Sequence, residues 1–62
     1  MESKYWKQFK GKEVRVIIND FSKFPVWKDG IFLDSDETHI FLEINNIIKP
    51  ILKTIVMRVD LK

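Results

Sequence analysis

The stretch from Trp27 to Leu42, WKDGIFLDSDETHIFL, constrains this chain more than any other. Two apolar-rich runs flank Asp34-Ser35-Asp36-Glu37, an acidic segment that reads as a turn. In the first run the alternation changes phase at Gly30, after which Ile31, Phe32 and Leu33 are all apolar. A glycine at a phase change marks a bulge or a sharp bend, where a strand leaves one sheet and enters another. The second run alternates cleanly. Thr38, Ile40, Leu42 and Ile44 face one way, and His39, Phe41 and Glu43 face the other.

The flanking segments supply the rest of a sheet. Glu13 to Asn19 alternates Val14, Val16 and Ile18 with Arg15, Ile17 and Asn19, so it is a strand. The second strand spans Val26 to Asp34 and the third Thr38 to Ile44. Asn45-Asn46 is a turn, because Asn tolerates positive φ. Ile47 to Leu52 is the fourth strand, and Pro50 assigns it to an edge, since proline has no N–H for a ladder. After a break at Lys53-Thr54, Ile55 to Leu61 is the fifth. Before them, Glu2 to Phe9 suits a short helix with Tyr5, Trp6 and Phe9 on one side, Ser3 as its cap and Gly11 as its end. Two turns are unstable alone, so this aromatic side is expected to cover an open end of the sheet. The fold class expected is all-β with a short N-terminal helix. Five short, strongly bent strands favour a small closed barrel, because closure removes exposed edges.

At 62 residues the chain makes one domain. It has no cysteine and one histidine, so disulfides and a thiolate metal site are excluded and His39 alone builds no zinc site. The beginning of the sequence has no signal-peptide core and no apolar run suits a membrane span. With the lack of cysteine, this points to a soluble protein of the cytoplasm. Apolar residues are 45% of the chain beside 32% charged, enough to offset chain entropy, so disorder is not expected. The aromatic share of 13% exceeds what one small core hides, a first hint of self-association.

Charge is unevenly placed. Residues 29–46 carry Asp29, Asp34, Asp36, Glu37 and Glu43 with no Lys or Arg, between two basic flanks. These are either solvated faces or complementary edges, an acidic one docking on a basic one of the next subunit. Phe21 and Phe24 lie in the loop before Pro25, either as a lid on the core or as an exposed contact. Trp6 and Trp27 are expected in the core or at an interface. Asp36 is either a turn-former accepting backbone N–H groups or a reader of a base. His39 is a surface histidine beside acids or a base contact. Ser3, Ser22 and Ser35 stand in turn-like contexts with one histidine in the chain, so an enzyme is not expected. The Asp34, Asp36 and Glu37 cluster has no defined cation-loop spacing, and no metal or cofactor is expected.

In order, a short helix, the Val14-Arg15-Val16 strand, and then Gly30, Phe32 and Asp36 at intervals of two and six from the glycine resemble the Sm-like superfamily of small, SH3-like barrels. Ile40, Phe41 and Leu42 look like its bacterial Hfq branch, and Ile51-Leu52-Lys53-Thr54 followed by Ile55-Val56 partly matches its second motif. The resemblance implies a homo-oligomeric ring that binds single-stranded RNA. It carries RNA-contact roles onto Asp36, Thr38, His39, Lys53 and Thr54, and Arg58 joins them as a candidate, since Arg58 and Lys53 can each face a phosphate or an acidic neighbour.

Two positions depart from the family. Where it places a ring for the base to stack on, two residues after the Asp, this chain has Thr38. Where it has His after the Lys, this chain has Thr54. Without the ring a base loses about 1–3 kcal/mol, so binding is expected to be weak and little selective. The alternative expectation is an SH3-like protein-interaction module using Phe21, Phe24 and Trp27 as its contact.

Overall fold

The computed structural model describes residues 4–19 and 23–62. Its elements are α1 (Lys4–Lys7), β1 (Glu13–Ile18), β2 (Val26–Ser35), β3 (His39–Ile44), β4 (Ile47–Leu52), a one-turn 3-10 helix (Lys53–Ile55) and β5 (Val56–Leu61). The strands form one antiparallel sheet in the order β4-β3-β2-β1-β5. Each expected strand is present, with its ends within a residue of where the alternation put them.

Closure into a barrel is not found. β4 forms its ladder with β3 and β5 forms its ladder with β1, and no ladder joins β4 to β5. The strands adjoin in sequence, but the turn at Lys53–Ile55 carries the chain from one edge of the sheet to the other. β5 spends its pairing on β1, and each strand keeps an outer row of backbone groups. Pro50 is accordingly on an edge strand, opposite Phe41.

Alternation builds the core. Val14, Val16 and Ile18 of β1, Phe32 of β2, Ile40 and Leu42 of β3, Ile51 of β4 and Val59 of β5 are buried, with Phe9 closing one end. The surplus of large apolar groups is on the surface, where Ile47, Ile48 and Leu52 of β4 and Met57 and Leu61 of β5 are exposed. Asn45 and Asn46 both take positive φ, 53° and 65°, which fits the two-residue turn between β3 and β4.

β2 is shared between two partners. Val26 to Ile31 pair with β1, while Ile31, Phe32, Asp34 and Ser35 pair with β3, so Ile31 faces both Glu13 and Glu43. The register shift falls between Phe32 and Asp34 rather than at Gly30. Gly30 has a different task. A Cβ there would lie 2.7 Å from the Glu43 carbonyl oxygen and 2.8 Å from Ile44 Cγ1, so β3 crosses it at a distance only glycine permits.

Among the described residues the helix runs Lys4–Lys7 and stops before its expected end at Phe9; the expected start at Glu2 and cap at Ser3 lie outside the described residues. One turn cannot sustain a helix in water. Beyond it the chain tightens, with Phe9 N–H donating to Trp6 O (3.2 Å) and Lys12 N–H to Phe9 O (3.0 Å). Gly11 ends the segment at φ 79° and donates to Phe32 O at 2.7 Å, while Phe32 N–H donates to Lys12 O at 2.9 Å. Rings hold the segment down. Trp6 lies nearly parallel to Phe32 (centroids 6.2 Å, 9°), Phe9 meets Phe32 at 5.9 Å, and Tyr5 stands edge-on to both Trp6 and Phe9.

Candidate functional site

The acidic turn between β2 and β3 is built around Asp36. Its Oδ1 accepts the backbone N–H groups of Thr38 (2.9 Å) and His39 (2.6 Å), and Asp36 N–H donates to His39 O at 2.9 Å. The turn-forming role is therefore occupied. These backbone donors, His39 first and Thr38 second, hold the Asp36 carboxyl below the ordinary carboxylate range.

Lys53 comes to this turn from the far end of β4. Its N–H donates to Thr38 O at 2.9 Å, and its ammonium donates to Asp36 O. The Thr38 hydroxyl lies 2.7 Å from His39 Nδ1 and 3.3 Å from Asp36 Oδ1. It has one proton to give, so when it donates to Asp36 the imidazole proton must be on Nδ1. His39 also lies over Phe41, with centroids 6.3 Å apart and planes 25° apart. Asp36, Thr38, His39 and Lys53, four of the six residues expected to contact RNA, thus form one surface corner, Asp36 and Thr38 exposed and His39 and Lys53 half-buried. Thr54 follows in the 3-10 turn, exposed.

Arg58 does not join them. It lies on β5 opposite Ile17, and its Nε donates to Asp60 at 2.9 Å. There it belongs to a charged row on the outer face of the sheet. Arg15 donates to Asp29 through Nε (2.8 Å) and Nη2 (3.1 Å), and Lys62 Nζ stands 3.3 Å from the same carboxylate. The bidentate Arg15 hydrogen bonds, with Lys62 adding to them, hold the Asp29 carboxyl down at about 2. Asp29 in turn raises the Arg15 guanidinium. Part of the acidic segment is therefore neutralised within its own chain.

This gives an expected acid limb. A carboxyl depressed in the folded state stabilises above its ordinary pKa of ~4 and loses that contribution as pH falls through its folded value. Melting temperature should be flat down to about pH 5 and fall between about pH 4 and 2. Asp29→Asn and Asp36→Asn should each flatten that limb in circular-dichroism melts. An acid limb unchanged in the double variant would assign it to other groups.

Two aromatic placements were not legible from spacing. Trp6, on the helix, has Lys53 Nζ 5.5 Å from its ring centroid, which puts an indole beside the corner. Trp27, expected in the core or at an interface, is not in the core: it is 64% exposed on β2 with the Arg15 guanidinium 5.8 Å from its ring, and Phe24 is 71% exposed. Phe24 is thus no lid on the core; Phe21 lies outside the described residues. No helix among the described residues is long and apolar enough to cross a membrane, and no three of their His, Asp or Glu groups gather as a metal site. Compared with known protein families, curated proteins and solved structures, the chain matches none.

Proposed function

We propose that this chain is an Sm-like, self-associating protein that binds single-stranded RNA with little sequence selectivity at the Asp36–Lys53 corner. The observation that carries the reading is the convergence of Asp36, Thr38, His39 and Lys53, which sequence separates by up to 17 positions, on one solvent-accessible corner. Lys53 and His39 offer a cation and a donor for phosphate, while Thr38 offers no ring. Positioning by phosphate with weak base readout follows from that residue set. Self-association is supported by the two unpaired edges, β4 and β5, which carry exposed Ile47, Ile48, Leu52, Met57 and Leu61. Edges of this kind are templates for another strand, and pairing them between copies would complete the curved sheet that one chain leaves open.

Fluorescence anisotropy with short single-stranded RNAs at low and moderate salt tests this. Lys53→Ala should weaken all sequences alike and reduce the salt slope by about one. Thr38→Phe should add affinity for a stacked base. Sedimentation of the same samples should give a multiple of the chain mass. Absence of binding at low salt, with no gain in Thr38→Phe, would remove the RNA reading. The exposure of Trp27 and Phe24 then favours a second one, an SH3-like module that contacts another protein through these rings.

A further inference from the structure

Beside the corner, between α1 and the second half of β2, is a cavity of about 290 Å³ lined by Trp6, Lys7, Lys10, Phe32, Asp34 and Ser35. We propose that it binds one nucleotide, the base stacking on Trp6 and the phosphate held by Lys7 and Lys10. The proposal deepens the RNA reading by naming where a base goes on a chain whose Thr38 supplies no ring.

Three chemistries meet in this cavity. The first is a ring in a set orientation. Trp6 is half-buried, backed by Phe32 almost parallel to it, and braced by Tyr5 edge-on at 5.0 Å. A side chain already held in place loses little freedom when a base stacks on it. The second is positive charge. Lys7 and Lys10 are exposed, and the carboxylate nearest Lys10, Asp34 Oδ2, is 4.0 Å away with both side chains in solvent. Such a pair is weak, so the ammonium exchanges it readily for a phosphate. The third is an acceptor. Asp34 Oδ1 takes the Ser35 N–H at 2.8 Å, and the same carboxylate can accept from ribose hydroxyls or an exocyclic amine.

Size selects the ligand. At about 290 Å³ the cavity is at the small end of ligand sites, room for one base with its sugar phosphate rather than a stacked pair. Position connects it to the corner. Trp6 lines the cavity and Lys53 Nζ lies over its ring, so a strand phosphate that draws the ammonium off the indole uncovers the face on which the adjoining base stacks.

The test uses a Trp27→Phe background, in which Trp6 is the single indole. Its emission is followed while adenosine, 5′-AMP, 5′-UMP and RNA hexamers are added at low salt. Saturable quenching by both mononucleotides and by hexamers is expected, with 5′-AMP bound more tightly than 5′-UMP. Adenosine should bind roughly tenfold more weakly than 5′-AMP, since it lacks the charge-assisted bonds of the phosphate. Lys7→Glu with Lys10→Glu should cause a loss of similar size, and an unchanged far-ultraviolet spectrum would show the fold intact. If hexamers bind by anisotropy while Trp6 emission does not move, the corner reading stands and the cavity proposal is overturned. If mononucleotides quench Trp6 but hexamers do not bind, the cavity takes free nucleotides and the strand reading falls. Equal affinity for adenosine and 5′-AMP, or no effect of the lysine pair, overturns the phosphate assignment.

Discussion

Gly30→Val is expected to remove most of the protein's folding stability. The new Cβ alone would stand 2.7 Å from the Glu43 carbonyl oxygen, and that oxygen belongs to backbone held in the β2–β3 and β3–β4 ladders. Flexible side chains can move aside; a backbone paired on both sides cannot do so without breaking bonds. Overpacking of a tight interior costs about 1–3 kcal/mol even when side chains absorb it. Here the ladder must shift as well. A 62-residue domain has about 3–9 kcal/mol of total stability, so the cost takes most of it. Gly30→Ala meets the same atoms with less bulk and should lower the melting temperature by ~10 °C or more. A Gly30→Val melt within two degrees of the parent would mean that β3 does not cross β2 as closely as described.

Phe32→Ala should be of similar severity for the opposite reason, a void instead of a clash. Phe32 is 1% exposed and meets two rings of the N-terminal segment, Trp6 and Phe9, while its backbone exchanges hydrogen bonds with Gly11 and Lys12. Truncating a buried Phe costs about 3–5 kcal/mol. The one-turn helix has no stability of its own, so it should detach first and take the Trp6 environment with it. Urea unfolding followed by both far- and near-ultraviolet circular dichroism measures this. Phe32→Leu keeps most of the volume and should cost less than about 1.5 kcal/mol. A cost below about 1 kcal/mol for Phe32→Ala would show that the ring cluster does not tie the helix to the sheet.

What the chain discloses about itself follows from periodicity. Val14, Val16 and Ile18, or Ile40 and Leu42, alternate because one face of a strand meets the core, and that pattern survives into the structure. Asn45-Asn46 was legible because positive φ has few hosts. The register shift near Leu33 was not, since Ile31-Phe32-Leu33 are apolar whichever of them is displaced. The end of the helix at Lys7 rather than Phe9 was not legible, because side-chain spacing carries no information about where its hydrogen bonds stop. Barrel closure was inferred from strand number and bending, whereas pairing depends on where the 3-10 turn delivers β5. In the candidate site, the Asp36 turn is local and was readable. Its meeting with Lys53 was carried by resemblance alone. Charge has no direction, so it left Arg58 either a phosphate or an acidic neighbour, and the register of β5 supplies the second in Asp60 on the outer face. Nothing in the spacing connects Trp6 with Lys53, because that neighbourhood is made by two elements from opposite parts of the chain.

The strand order has a consequence for how the chain assembles itself. β1–β2, β2–β3 and β3–β4 are neighbours in sequence as well as in space, so each ladder can zip from its own connection with little loss of chain entropy. β1–β5 is different, since it joins Val14 near one end of the sequence to Leu61 near the other. The entropy of closing that long loop is concentrated in one ladder, which forms only after the meander has brought its ends together. β5 is therefore expected to latch the fold last: its docking sets Val59 opposite Val16, and faster amide exchange in β5 than in β2 and β3 would show that it is also the first strand to leave.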